Sequence, residues 1–299
     1  MRTVSLLDVD PDLGELMTAG EREEARRLMR ARVVQLARGV ATEAVYDSGA
    51  SALHGLLLLD GLVSRTIALT DATAVELLGR GDLIEPSADA LGSRLVPIDV
   101  SWAVLEPAEA VIVDDDLLYD ARRWPQLVAA LFERLASQAT RLATRCAISQ
   151  LPRAEERVRM LLWFLAERWG RIGRDGIVLP LRLTHEMLGQ MLGTQRPTVS
   201  LALRQLERDG AARRRIDGAW LLPLPREEIG RLVPHPSGGI RRLAAQEAGG
   251  GSDADLVAAV GAAPTSRSAQ LANEQLQMRI ERLEAIHARE QKRIDADEP

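Results

Sequence analysis

Cysteine and histidine are scarce in this sequence of 299 residues, and their scarcity excludes several kinds of site. A single cysteine, Cys146, excludes an internal disulfide and a cysteine-ligated zinc or iron–sulfur site within one chain. The four histidines show neither a catalytic-triad pattern nor metal-ligand spacing. The sequence therefore predicts no enzyme, no catalytic residue, no bound metal and no cofactor.

Signals for export and membrane insertion are also missing. Acidic residues occupy the N-terminal stretch "MRTVSLLDVDPDLGELM", where a signal peptide would have an apolar core. No apolar run approaches the roughly 18 residues that a membrane-spanning helix needs. We expect a cytoplasmic protein that does not contact a membrane.

The chain has no overall positive charge and few aromatic residues. Its formal net charge is -5, so any surface that attracts nucleic acid has to be local. Aromatic residues make up 3% of the chain, and because five of the nine are tryptophans, we interpret them as packing anchors.

The first 120 residues combine one charged segment with many short apolar segments. Residues 14–32 predict a single charged helix on the surface. From residue 33 to 119, segments such as "RVVQLA", "AVELLG" and "AVIVD" are separated by glycines, with no helical pattern between them. This pattern of short apolar segments separated by glycines favours a small antiparallel roll or barrel over a parallel sheet. A mixed domain without a nameable fold is the alternative.

Residues 121–150 predict a long helix with a narrow apolar stripe. Four apolar residues recur along it at helical spacing: Val128, Leu131, Leu135 and Leu142. A narrow stripe is typical of a coiled-coil seam, which favours a dimerisation helix. Packing of this helix on its own barrel is the alternative. Residues 151–170 then predict a second amphipathic helix.

The stretch "LTHEMLGQMLGTQRPTVSLALRQLERDG", residues 183–210, predicts two short helices joined by a tight turn. Thr184 is a good N-cap for the first helix, and Gly193 supplies the permissive backbone of the turn. Pro197 fits the first turn of the second helix, whose apolar residues gather on one side. The other side exposes polar residues near its N-terminus, as the recognition helix of a helix-turn-helix does.

A basic hairpin follows the two helices. In "AARRRIDGAWLLP", Asp217 and Gly218 form a two-residue hairpin signal, which predicts a wing. From Thr184 to Arg215 the chain has six arginines against three acidic residues, a local excess that phosphate binding requires. Two ordinary packed helices with solvated arginines are the alternative interpretation.

At this point the sequence resembles the Crp/Fnr family of bacterial transcription regulators, most closely in "LPLRLTHEMLGQMLGTQRPTVSLALRQLERDGAARR". The resemblance implies an α+β chain with three parts. These are an antiparallel β-roll or jelly-roll sensor domain, similar to cyclic-nucleotide-binding domains, in residues 1–120; a long dimerisation helix in 121–150; and a winged helix-turn-helix DNA-binding domain in 151–225.

The resemblance also implies partners and site residues. The partners are a second copy of the chain and double-stranded DNA with a two-fold symmetric site, and RNA polymerase is a further candidate. Arg196 is the strongest candidate for a bidentate contact to guanine. The candidate DNA-binding residues are Thr184, Gln195, Arg196, Pro197, Thr198, Ser200, Leu201, Arg204 and Arg214.

The chain departs from the family pattern in both domains. Pro197 stands where well-known members have a glutamate that reads cytosine, and Leu201 stands where they often have an arginine, so a different consensus site is implied. In the sensor domain, Gly81 and Asp82 match the Gly-Glu pair of nucleotide-binding members, but no Arg-Ser pair follows. The resemblance therefore implies a degenerate pocket whose effector is unknown, with a haem on His54 as a weaker alternative.

The remaining residues predict a tail. Residues 226–266 are rich in Gly, Ala and Ser and predict a flexible linker. Residues 267–299 predict a C-terminal helix, either a short coiled coil or a partly formed solvated helix. The alternative to a transcription regulator is a small-molecule sensor or oligomeric scaffold whose helix-turn-helix serves as a protein interface.

Overall fold

The computed structural model describes residues 2–40, 53–84, 98–224, 229, 232–234 and 240–242. All of them belong to Met1–Arg242, the first of two compact units; the second is Leu243–Pro299. The C-terminal helix predicted for residues 267–299 lies outside the described residues. Of the linker predicted for 226–266 the described residues include 232–234 and 240–242, which pair as two strands, so the prediction of a flexible linker was wrong there. Within the described part of the chain, no helix is both long and apolar enough to cross a membrane.

The N-terminal half is built on one antiparallel sheet of seven strands, with the order β1-β2-β7-β4-β5. Off this path, β3 pairs with β7 and β6 pairs with β4. The strands are β1 (Arg2–Ser5), β2 (Arg30–Leu36), β3 (Gly39–Val40), β4 (Leu53–Leu69), β5 (Ala72–Leu78), β6 (Leu83–Ile84) and β7 (Asp99–Asp114). The antiparallel arrangement confirms the interpretation of the sequence.

Two strands are much longer than the other strands of the sheet. β4 has 17 residues and β7 has 16, because their pairing continues through several register shifts between Leu53 and Val63. Such bulges bend a strand without ending it. The residues Leu56–Leu59 are all at most 3% exposed, and alternate members enter core clusters on opposite faces of the sheet. A run of residues buried on both faces does not alternate in polarity, and the apolar segment "LHGLLLLDGLVSRTIAL" in the sequence coincides with β4.

Gly61 is required where β4 passes β7. Its φ is +90°, and a Cβ placed there would lie 2.5 Å from Cα of Ala108. We expect Gly61→Ala to lower the free energy of unfolding by about 3 kcal/mol, from backbone strain and overpacking together. Urea denaturation followed by circular dichroism measures this. Gly20→Ala is the matched control: it lies in a helix with nothing within 4 Å of its Cβ, so stability should rise slightly.

The charged segment at residues 14–32 is not one helix, and this prediction was wrong. The chain forms α1 (Leu6–Val9), a 3₁₀ turn (Pro11–Gly14) and α2 (Ala19–Leu28), and β2 then begins at Arg30. Thr18 starts α2 with a capping box: the Glu21 N–H donates to the Thr18 hydroxyl, and the Glu21 carboxylate accepts from the Thr18 N–H. This local signal, S/T-x-x-E, marks the true helix start.

Two helices follow the sheet: α3 (Asp115–Ala121) and the 25-residue α4 (Pro125–Ser149). Leu131, predicted on the dimer seam, is buried with Leu127 against the chain's own sheet. A neighbouring stripe is exposed instead, comprising Val128 (43%), Phe132 (72%) and Leu135 (46%). One face of α4 therefore covers the sheet, as the second of the sequence alternatives predicts, and another face is exposed.

The last described part is a small α/β unit with its own core. Its elements are α5 (Ala154–Trp169), β8 (Arg171–Gly173), β9 (Gly176–Leu179), α6 (His185–Leu192), α7 (Arg196–Arg208), β10 (Arg213–Arg214) and β11 (Trp220–Pro223), followed by the hairpin β12 (Leu232–Pro234) and β13 (Ile240–Arg242). Its core cluster also includes Val75 and Leu77 of β5, so this unit packs directly on the sheet.

Candidate nucleic-acid interface

Helix α6 begins at Thr184 as the sequence predicts. The Met187 N–H donates to the Thr184 hydroxyl at 3.1 Å, which satisfies one of the unpaired amides of the first turn. The inner face of α6 is fully buried at Leu188 and Leu192. Packing on that face fixes the direction in which the helix leads into the turn.

The turn depends on two glycines, only one of which was predicted. Gly193 adopts the left-handed conformation (φ 61°, ψ 36°) and ends α6. Gly189 lies one turn earlier, where a Cβ would be 2.6 Å from the carbonyl oxygen of Thr194. The Thr194 N–H donates to the Gly189 carbonyl at 2.9 Å. The absence of a side chain at Gly189 therefore lets the turn lie against α6.

Helix α7 divides into a buried and an exposed face. Its buried residues are Val199, Ala202, Leu203 and Leu206, each at most 4% exposed. Gln195 is the N-cap residue, but its side chain makes no capping hydrogen bond, so its amide group remains available to other partners. The residues predicted to contact DNA lie at the N-terminal tip and along the outer face: Gln195, Arg196, Pro197, Leu201 and Arg204 are exposed, and Thr198 and Ser200 are half-buried.

The predicted wing is present with a different turn. Arg213 and Arg214 pair with Leu221 and Trp220, and the Arg215 N–H donates to the Ala219 carbonyl at 2.8 Å. Three residues therefore form the loop, with Gly218 at φ +85°, and the prediction of a two-residue Asp-Gly turn was wrong. The guanidinium of Arg214 lies 5.6 Å from the ring centroid of the buried Trp220, which anchors the wing.

The charges of this surface are largely uncompensated. Arg215 pairs with Asp217 at 3.3 Å, and among the described residues no other arginine of α7 or the wing has a carboxylate partner. Those arginines are Arg196, Arg204, Arg208, Arg213 and Arg214, all exposed. An exposed helix tip flanked by unpaired arginines and a basic wing can bind phosphates and reach base edges at the same time.

Comparison with known families agrees with this geometry, since residues 156–226 match the model of the Crp-like helix-turn-helix domain. This segment is a Crp-like helix-turn-helix domain. The resemblance to Crp/Fnr regulators seen in the sequence is thereby confirmed for residues 156–226.

Three solved structures show the same fold beyond the Crp-like domain. A mutant of CooA from Carboxydothermus hydrogenoformans is 19% identical with a TM-score of 0.52, and the match covers 77% of this chain and 95% of that one. The c-di-GMP responsive global regulator CLP of Xanthomonas campestris is 17% identical with a TM-score of 0.51, covering 70% and 100%. A cyclic nucleotide-binding domain containing protein from Listeria monocytogenes is 18% identical with a TM-score of 0.52, covering 71% and 96%. These likenesses confirm the α+β fold class.

No curated protein sequence matches the chain. Among the described residues, no group of three or more His, Cys, Asp or Glu is arranged to hold a metal ion. His54, considered as a haem ligand, lies exposed in β4 with Nε2 2.6 Å from Oδ1 of Asp115.

His185 connects the two helices of the helix-turn-helix, a contact that the sequence pattern does not indicate. Its Nδ1 lies 2.8 Å from the hydroxyl of Ser200, and that hydroxyl donates to the Arg196 carbonyl at 3.0 Å. The ring nitrogen therefore donates, and His185 ties the start of α6 to the first turn of α7. The one feature of the sequence that could have indicated this contact is the position of His185 directly after the N-cap residue Thr184. Burial, reinforced by Arg214 and Arg196, lowers the pKa of His185 below its ordinary value.

This lowered pKa predicts a loss of stability in acid. The folded state favours neutral His185, so the unfolded chain binds more protons, and stability falls as the pH drops below the unfolded pKa of about 6.5. Arg204 acts in the same direction and Glu207 opposes it. Between pH 7.5 and 5, the melting temperature of the wild type should fall more than that of His185→Gln. Equal pH profiles would show that His185 is not held neutral.

Gly81 and Asp82, predicted to bind a ligand, lie beneath α4. Gly81 has φ +83°, and a Cβ there would be 3.0 Å from Nη1 of Arg134. Asp82 is fully buried, and its carboxylate accepts from the Gly79 N–H at 2.9 Å. The same carboxylate pairs with Arg141 of α4, and with Arg168 of α5 at 2.7 Å. A ligand that bound to Asp82 would therefore have to displace an arginine.

Proposed function

We propose that this chain is a homodimeric regulator of the Crp/Fnr type that reads a two-fold symmetric DNA site through α7. The observation that carries the proposal is the exposed tip of α7, where Arg196 has no carboxylate partner among the described residues and the opposite face of the helix is buried. Rigid placement is what distinguishes base readout from general phosphate attraction.

The exposed stripe of α4 supports a dimer. Val128, Phe132 and Leu135 continue into Ala139, Leu142 and Cys146 with alternating spacings of four and three residues, which is the heptad of a two-stranded coiled coil. Large exposed apolar side chains in a row are typical of an interface. A two-fold axis along this seam would present two copies of α7, and two half-sites about one helical turn apart would then form a palindrome.

Each exposed side chain at the tip suggests one contact. Arg196 has the planar fork that matches O6 and N7 of guanine, and Leu201 offers an apolar surface for a thymine methyl group. Pro197 has no donor to offer a base. The Thr184 hydroxyl, the start of α6 and the wing residue Arg214 are positioned for phosphates. We further propose that an unidentified signal at the N-terminal domain controls binding, and that RNA polymerase is a partner in transcription.

Arg196→Ala tests the readout. On the duplex selected from a random library, the variant should lose about 1–3 kcal/mol of binding free energy, concentrated at one base pair of each half-site. Fluorescence anisotropy with duplexes substituted at every position measures the loss. Arg174→Ala is the control, since Arg174 is an exposed arginine in the turn between β8 and β9. A uniform loss at all positions would make Arg196 a phosphate contact and contradict the proposed readout.

A further inference from the structure

A small cavity lies where β5, α4 and the Crp-like domain meet. Its volume is about 40 Å³, which is room for about three water molecules or one small organic anion. Helix α5 contributes Leu161, Phe164 and Leu165 to its lining, and α6 contributes Met191. These side chains give the cavity an apolar wall.

Three arginines line the same cavity: Arg141 and Arg145 of α4, and Arg168 of α5. Arg141 and Arg168 share the buried carboxylate of Asp82. Arg145 differs from them, since its guanidinium donates to the Val75 carbonyl oxygen and has no carboxylate within 4.0 Å among the described residues. Arg145 therefore lacks an anion of its own.

Burial makes an unpaired charge at Arg145 costly. Desolvation lowers the pKa of Arg145 below its ordinary value, and it does the same to Arg141. Glu76 also lines the cavity and raises the pKa of Arg145, but its carboxylate is already bound to Arg65 at 2.5 Å. Charges that burial desolvates are normally paired, so a desolvated guanidinium that lines a cavity without a carboxylate partner marks a candidate anion site.

We propose that this cavity binds a small organic carboxylate, held by the guanidinium of Arg145 with its alkyl chain against the wall formed by α5. A guanidinium fork matches a carboxylate in two parallel hydrogen bonds. An inorganic anion would leave the apolar wall unused, and a neutral molecule would leave the charge unpaired. Neither Gly81 nor Asp82 lines the cavity, although the Asp82 carboxylate binds two of its arginines. The inference does not depend on DNA binding.

Isothermal titration of the full-length chain with four probes tests the ligand class: butyrate, acetate, butyramide and inorganic phosphate. Butyrate should bind saturably, about tenfold or more tighter than butyramide, because the charge-assisted hydrogen bonds are lost in the amide. It should also bind more tightly than acetate and phosphate, because only butyrate has an alkyl chain that can pack against the apolar wall. Phosphate binding as tight as butyrate, or no saturable butyrate binding up to about 50 mM, would overturn the proposal.

Arg145→Gln tests the residue. Butyrate affinity should fall about tenfold or more, while Arg174→Gln should leave it unchanged, since Arg174 is exposed and outside the cavity lining. Circular dichroism first checks that each variant is folded. If Arg145→Gln does not fold, Arg145→Lys replaces it, and a butyrate affinity between those of wild type and background supports the assignment. Wild-type affinity in a folded Arg145→Gln variant would overturn it.

Discussion

Asp82→Ala is expected to destabilise the protein by about 3 kcal/mol. Asp82 is 0% exposed, and its carboxylate joins β6 to α4 through Arg141 and to the Crp-like domain through Arg168. Removing it leaves two guanidiniums facing each other. Breaking a buried pair costs about 3–5 kcal/mol, and the lower end applies because the arginine side chains remain 32% and 19% exposed.

Urea denaturation at one fixed protein concentration measures this effect. Glu133→Ala is the control, because Glu133 is an exposed carboxylate on α4. Asp82→Asn should fall between the two, since the amide keeps the hydrogen bond from the Gly79 N–H but loses the charge. If Asp82→Ala and Glu133→Ala are equally stable, the carboxylate does not tie the sheet to the Crp-like domain.

The second large effect is expected from Leu135→Glu. Leu135 is 46% exposed at the centre of the α4 stripe, and across a two-fold axis the new carboxylate would face its own copy. We expect the variant to sediment as a monomer. Its affinity for the full two-fold site should fall about 10²–10⁴-fold, because the second half-site no longer binds within the same complex.

Ser137→Glu is the matched control for this variant. It introduces the same side chain on the same helix at an exposed position two residues away, off the heptad spacing of the stripe. It should remain a dimer with wild-type affinity. Cys146, exposed at the end of the stripe, offers an independent readout. Mild oxidation with copper phenanthroline should link two wild-type chains but not Leu135→Glu. A Leu135→Glu variant that remains dimeric would place the interface elsewhere.

Local patterns allowed the Crp-like domain to be predicted almost residue by residue. The cap at Thr184, the left-handed Gly193 and the buried face of α7 each depend on residues within one or two turns. The predicted length of the wing loop was one residue too short, because Asp-Gly also fits a three-residue loop with glycine at its last position. Gly189 was missed because its role depends on the carbonyl of Thr194, which approaches only in the folded turn.

The features that could not be predicted depend on contacts between residues far apart in the chain. The length of β4 depends on bulges opposite β7, some 50 residues away in the chain, and the hydrophobic pattern of the sequence does not show where these bulges lie. The partition of α4 depends on which face the sheet covers, so Leu131 and Leu135 look alike in the sequence but differ in burial. Asp82 was recognised as significant, but its partners lie on α4 and α5, which only the tertiary structure brings together.

Selection of duplexes from a random library by the wild-type chain, at about 50 mM and about 200 mM salt, tests the central claim most directly. The account predicts an inverted repeat whose half-sites lie about one helical turn apart, with affinity falling steeply between the two salt concentrations. Retention of no duplex at the lower salt concentration, or recovery of sequences without two-fold symmetry, would contradict it.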